Sequence, residues 1–280
     1  MKAPVNKIIP FSAVDGPGNR TAVFLQGCNI NCKYCHNPET RRLCRGCGKC
    51  VESCPAGALS MDGGEVRFDW EKCKACDTCI HVCPYDASPR IRWMEPAECM
   101  REILKNVPFI RGVTVSGGEC TLHPDFLREL GGLCRREGLG FLLDANGTYD
   151  FEADPAGLLE SIDGVMLDVK AWTKEDHLRV TDADNGIIRR NLQFLAERGK
   201  LEEVRTVIVP ELYDCAGTVR ETARLLKPYL AAKSIRYKII AYRPMGVRER
   251  YRGFRSPTQE ELAALRDIAA AEGMKDIVLI

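Results

Sequence analysis

Fifteen cysteines, eleven of them crowded between Cys28 and Cys83, are the residues of this chain whose type and spacing can do chemistry. Thiolates are soft ligands. At motif spacing in a reducing compartment they signal metal or redox chemistry rather than a disulfide framework. The first group, Cys28, Cys32 and Cys35, has the spacing C-x3-C-x2-C and no fourth cysteine to match. Three thiolates on a four-iron cube leave one iron free to bind a substrate, as an open position distinguishes catalytic from structural zinc. His36 is the rival fourth ligand, but its place next to Cys35 makes the remaining corner hard to reach.

The second and third groups, Cys44, Cys47, Cys50, Cys54-Pro55 and Cys73, Cys76, Cys79, Cys83-Pro84, repeat the run C-x2-C-x2-C-x3-C-P. In two-cluster bacterial ferredoxins the fourth cysteine of such a run ligates the other cluster. The spacing therefore assigns Cys44, Cys47, Cys50 and Cys83 to one [4Fe-4S] centre, and Cys73, Cys76, Cys79 and Cys54 to the other. Structural zinc is the competing occupant, although it normally takes two cysteine pairs separated by a longer loop. The segment 40–92 is rich in glycine, cysteine and charge, so its folding is expected to come largely from metal.

What must position these groups lies mostly beyond residue 93. There, short β-branched runs alternate with amphipathic stretches, the pattern of βα units around a parallel sheet. Strands are expected near 21–25, 112–116, 141–145, 164–169, 203–209 and 235–241. Helices are expected near 95–106, 124–137, 155–161, 185–199, 216–230 and 258–272. The fold class is then α/β, a partial (β/α)6 TIM-like barrel formed by 1–39 and 93–280, with a ferredoxin-like insert at 40–92. In a parallel barrel the carboxyl ends of the strands face one mouth. The cysteine triad follows strand one, Ser116-Gly117-Gly118-Glu119 ends strand two, Asp144-Ala145-Asn146-Gly147 ends strand three and Asp168-Val169-Lys170 ends strand four. Arg205 lies within strand five and Arg243 follows strand six. Each motif alone reads as a turn or a solvated pair; their convergence at successive strand ends makes them a candidate site.

The triad, with Tyr34 before its last cysteine, resembles that of the radical S-adenosylmethionine (radical SAM) superfamily. Val14-Asp15-Gly16-Pro17-Gly18-x-Arg20 and Tyr34-Cys35-His36-Asn37 are similar to the glycyl-radical-enzyme activases of the pyruvate formate-lyase activase type. The two ferredoxin runs resemble the insert of the larger members. Lys170-Ala171-Trp172 and Leu195-Ala196-Glu197-Arg198-Gly199-Lys200-Leu201 are similar to the YjjW-like subgroup. The resemblance covers nearly the whole chain. It implies three [4Fe-4S] clusters, with Cys28, Cys32 and Cys35 carrying the catalytic one. Gly117, Gly118 and Glu119 would receive the methionyl amino group of SAM, and Lys170, beside Asp168, its carboxylate. Asp144 and Asp168, with the carbonyls of Ala145 and Met166, resemble a monovalent-cation site. Arg205 would lie near the ligand and Tyr34 beside the adenine. Cys120 stands where the family carries a small residue or proline, and Arg243 where activases often carry a histidine; neither receives a role. The implied reaction cleaves SAM to methionine and a 5′-deoxyadenosyl radical, which takes hydrogen from a backbone glycine of a partner glycyl radical enzyme. Flavodoxin or ferredoxin is the implied electron donor, with the insert as relay or docking element.

Composition narrows the remainder. Forty Lys and Arg against 39 Asp and Glu give a net charge of +1, which excludes a bulk electrostatic hold on nucleic acid or anionic membrane. No apolar run approaches the ~18 residues of a membrane span, and the N-terminal residues lack a signal-peptide pattern, so a cytoplasmic protein is expected. Two rival functions stand beside the activase. One is radical SAM chemistry on a small molecule or nucleotide; the other is an iron-sulfur electron carrier, which would need neither the triad nor the barrel. Cys99, Cys134 and Cys215 lie on helical patterns and read as core. His81, His123 and His177 read as surface or capping-adjacent, and 243–255 as a solvated loop.

Overall fold

Strand residues alternate between two faces, and here the alternation separates apolar from polar side chains. The computed structural model describes residues 1–280. In chain order its strands are β1 (Ala3–Ser12), β2 (Arg20–Leu25), β3 (Leu59–Asp62), β4 (Glu65–Phe68), β5 (Arg92–Met94), β6 (Gly112–Gly117), β7 (Gly140–Ala145), β8 (Gly164–Asp168), β9 (Leu201–Ile208), β10 (Arg236–Ala241) and β11 (Ile277–Leu279). Its helices are α1 (Lys49–Glu52), α2 (Thr78–His81), α3 (Pro96–Leu104), α4 (Pro124–Arg136), α5 (Lys174–Thr181), α6 (Gly186–Glu197), α7 (Cys215–Leu226) and α8 (Gln259–Ala271).

Nine strands form one sheet in the order β11-β10-β9-β8-β7-β6-β2-β1-β5. The six expected strands are consecutive and parallel within it. β11 extends the parallel run at one edge, while β1 and β5 pair antiparallel at the other. Its two edge strands do not pair with each other, so the sheet stays open. Val113, Val115, Leu143, Val165, Leu167 and Ile239 on the outer face join the main apolar core with α4, α6, α7 and α8. The intervening positions, including Thr114, Ser116, Asp144, Asp168, Glu203, Arg205 and Lys238, form a polar inner face. Local chemistry starts the helices. Thr258 and Glu261 form a capping box on α8, Glu95 and Glu98 another on α3, and Asp214 caps α7 through the amide of Gly217.

The sequence leaves some elements out. β1 carries Pro4 and Pro10, which mask its strand pattern, and it pairs with β2 across a register irregularity. α5 is short and begins at a Thr173 cap. The expected helix at 155–161 is reduced to a single turn at Leu159–Ser161, because the Asp154 side chain accepts from the amides of Leu158 and Leu159 and from Tyr149. β5 pairs Arg92 with Val5, so residue 92 belongs to the main sheet.

Segment 40–92 leaves and rejoins this body at a bridge between Arg42 and Ala87. It holds the hairpin β3–β4 and the one-turn helices α1 and α2. Its own buried cluster consists of Cys50, Leu59 and Cys79, too little apolar surface for so long a segment to fold on. The sequence duplication recurs in the backbone. Gly46 and Gly48 in the first run, and Ala75 and Asp77 at the equivalent places in the second, all take left-handed angles. Alternating backbone handedness aims successive amides to one side, an arrangement that many iron-sulfur sites use.

Candidate active site

The loop after β2 carries Cys28, Cys32 and Cys35 and is tied to four other segments. The amides of Gly27 and Cys28 donate to the carbonyls of Thr40 and Arg41, and those of Asn31 and Lys33 to Thr181 and Val180 at the end of α5. Asn29 exchanges hydrogen bonds with Asn146 and Thr148 after β7. Arg248, after β10, donates to the carbonyl of Cys32 and to Asn31, each at 2.7 Å. Burial pushes the Cys28 thiol up to about 11 and the Cys32 thiol to about 12, and raises Cys35 as well. Burial thus favours the protonated thiols, and a bound metal would have to displace those protons.

Gly117 and Gly118 end β6, yet their lack of a side chain serves the protein's own backbone. A Cβ on Gly117, whose φ is 128°, would lie 2.1 Å from the carbonyl oxygen of Leu25, and one on Gly118 would lie 2.1 Å from that of Gly27. The glycine pair therefore lets β6 close against the cysteine loop. Glu119 is buried. Its Oε1 accepts from Thr121 and its Oε2 from the amide of Asn146 at 2.6 Å, and burial raises its carboxyl to about 7. Glu119 thus fastens the β6 and β7 ends together.

On the inner face Asp144 accepts from Ser116 at 2.9 Å and pairs with Arg205 at 2.9 Å. Arg205 also pairs with Glu203, which Lys238 meets at 3.0 Å. Charges thus alternate across β7, β9 and β10. Asp168 and Lys170 pair at 2.6 Å. Burial is the largest single influence on Lys170 and lowers it, but Asp168, through its charge and its hydrogen bond, together with Cys32 and Tyr34 outweighs burial and holds the ammonium well above its usual value. The Lys170 ammonium sits 5.9 Å from the ring centre of Tyr34. Tyr34 is fully buried in a second apolar cluster with Val209, Tyr213 and Tyr242, and its hydroxyl has no partner. Cys120 is core, its thiol donating to the carbonyl of Asp144.

The cysteines of the insert surround two cavities. One is lined by Cys73, Cys76, Cys79 and Cys54, the other by Cys44, Cys47, Cys50 and Cys83 with Cys79 on its wall. In each, the fourth cysteine of one run reaches the cavity of the other.

A family model described as the Radical SAM superfamily matches residues 22–226. The chain belongs to that superfamily. Radical SAM proteins use a [4Fe-4S] cluster and SAM, and the triad loop with Lys170, Asp168 and Glu119 around it supplies thiols, an ammonium and carboxylates of the kinds those groups require. The chain is 31% identical to the indoleacetate decarboxylase activating enzyme of Tractidigestivibacter scatoligenes, over 99% of this chain and 98% of the relative. It is 34% identical to the benzylsuccinate synthase activating enzyme of Thauera aromatica, over 84% and 77%. QueE from Escherichia coli shares the radical SAM fold, with a TM-score of 0.52 at 12% identity, over 100% of this chain and 94% of that one.

Several residues of this radical SAM chain lie where the sequence did not point. The Val14-Asp15-Gly16-Pro17-Gly18 loop sits at the amino ends of the strands, away from the triad. There Asp15 accepts from Thr114 through its carbonyl, Gly16 faces Leu142 and Met166, and buried Arg20 holds Thr114, Val113 and Gly140. His177 is buried, bonded to Ala183 and Thr181, rather than at the surface. Arg248 is buried in the segment expected to be solvated, while Arg243 is exposed there and offers its carbonyl to His36. Period-two counting from Arg205 would have found Glu203; nothing in the sequence marks Arg248.

Proposed function

We propose that this radical SAM protein is a glycyl-radical-enzyme activase. The observation that carries the reading is full-length similarity to activating enzymes of such partners, joined to a cysteine triad beside an ammonium and carboxylates at one end of a parallel sheet. When bound, a [4Fe-4S] cluster on Cys28, Cys32 and Cys35 supplies the electron that cleaves SAM to methionine and a 5′-deoxyadenosyl radical. The chain's own residues bind and orient. Lys170 offers its ammonium to the methionyl carboxylate, the Gly117-Gly118-Glu119 end of β6 faces the amino group, and Tyr34 lies with the adenine. Arg205 stays close to the ligand, and Asp144 with Asp168 offers oxygens to a monovalent cation, whose binding would compete with Arg205 and Lys170 for those carboxylates. Cys32, Tyr34 and Glu119 are buried there, which helps to keep water from the radical.

In the insert, 40–92, the two cavities take one [4Fe-4S] cluster each, Cys44, Cys47, Cys50 and Cys83 around the first and Cys73, Cys76, Cys79 and Cys54 around the second. Two such clusters suit a relay from flavodoxin or ferredoxin. The body, 1–39 and 93–280, performs the cleavage and presents the radical to a backbone glycine of the partner. No helix is long and apolar enough to cross a membrane, and we read the protein as cytoplasmic.

The test is anaerobic. Iron and sulfide are reconstituted, SAM and a reductant are added, 5′-deoxyadenosine is assayed, and a candidate glycyl radical enzyme is followed by electron paramagnetic resonance (EPR). We expect 5′-deoxyadenosine that disappears in Cys32→Ala, together with a glycyl radical signal on the partner. Cleavage without a protein radical would point to a small-molecule target; iron-loaded protein that neither binds nor cleaves SAM would overturn the enzyme reading.

A further inference from the structure

Two arginines far apart in the sequence meet on one carboxylate of the insert. Asp86 lies three residues after Cys83, with left-handed backbone angles. Its Oδ2 is 2.8 Å from Arg41 Nη1 and 3.4 Å from Arg248 Nη1. Each arginine also grips one cysteine of the triad loop. The carbonyl of Arg41 accepts the amide of Cys28 at 2.8 Å. Arg248 donates Nη2 to the carbonyl of Cys32 and Nη1 to Oδ1 of Asn31, and its guanidinium lies 4.8 Å from the ring centre of Tyr251. Both arginines are buried. Two like charges this close and this poorly screened repel unless a counter-charge stands between them, and Asp86 is that charge. Arg250, 3.8 Å from the same oxygen, is exposed and adds little.

We propose that Asp86 and Arg248 are positioning residues that clamp the insert to the triad loop, making the placement of Cys83 and the placement of Cys28 and Cys32 a single variable. The clamp rests on reading both regions as iron sites. It acts through hydrogen bonds to backbone rather than on the reacting atoms. Any electron passing from the insert to the triad crosses a gap whose width this carboxylate sets, and a shift of the insert is felt at the carbonyl of Cys32.

The experiment uses anaerobically reconstituted wild type, Asp86→Asn, Arg248→Gln and the double variant. Iron is counted first. A wild-type content well short of about twelve atoms counts against the three-cluster reading, and the exchange comparison still decides the clamp. Hydrogen exchange is then followed in peptides over 26–35 and over 80–87. Each single variant should speed exchange about fivefold or more in both peptides, although Asp86 lies in only one of them and Arg248 in neither. The double variant should be no faster than the faster single, the mark of a shared interaction, and the EPR line shape of the SAM-bound triad cluster should change with it. Faster exchange confined to one of the two peptides, or additive effects, would overturn the clamp. Should Asp86→Asn fail to fold, Arg248→Lys decides. It keeps a cation for Asp86 but cannot reach Cys32 and Asn31 together, so the clamp opens and both 26–35 and 80–87 should exchange faster; loosening of one peptide alone, or wild-type exchange in both, would sink the proposal.

Discussion

Glu119 illustrates what burial does to a single residue. A free glutamate titrates near 4.5, whereas this one titrates near 7, chiefly because desolvation disfavours its charged form. Between those values the folded protein holds a proton that the unfolded chain has lost. The group therefore contributes stability below its unfolded value, and that contribution is lost as the pH rises through about 7. Relative to Glu119→Gln, wild type should lose about 1.4 kcal/mol between about pH 6 and pH 8. Anaerobic urea titrations of the two proteins at both pH values measure the difference, and parallel stabilities would show that Glu119 is ionised throughout. The triad thiols could be nominated from spacing alone, because ligand geometry is written in sequence distance. Arg248 and Asp86 were not, since a buried arginine and an exposed one look alike until the packing around them is known.

At the scale of elements, two glycines in neighbouring segments behave oppositely for reasons of space. Gly132 lies in α4 with nothing near its missing Cβ, while Gly118 is pressed against the backbone of Gly27. Gly132→Ala should stabilise the protein by about 1 kcal/mol through helix propensity. Gly118→Ala should cost about 3 kcal/mol or more, since the clash is with backbone that cannot rotate away. Melting temperatures of the two variants check both signs; a tolerated Gly118→Ala would mean that β6 and the cysteine loop are not locked together. All six strands expected of the parallel run were legible, because short apolar runs alternate there with amphipathic stretches, even in β7, which has no β-branched residue. β1, β5 and α5 escaped, being interrupted by proline or too short to show a period. The helix expected at 155–161 failed where one aspartate, Asp154, claimed the amides a helix would have used.

For the whole molecule, the insert supplies thiols where an ordinary domain would supply apolar side chains. With Cys50 and Cys79 forming most of its buried cluster, its stability should follow its metal content. Cys54→Ser and Cys83→Ser should each remove about four irons, from different centres, although both residues close their own runs. Iron and sulfide analysis with EPR of the reduced variants distinguishes the crossed arrangement from an uncrossed one, in which each substitution would empty the centre of its own run. The sheet of the main body carries a further consequence. Its edge strands, β11 and β5, never meet. Strands that never meet leave their outward amides and carbonyls to loops, side chains or water, so the two margins of the sheet are where its backbone must find partners other than strand.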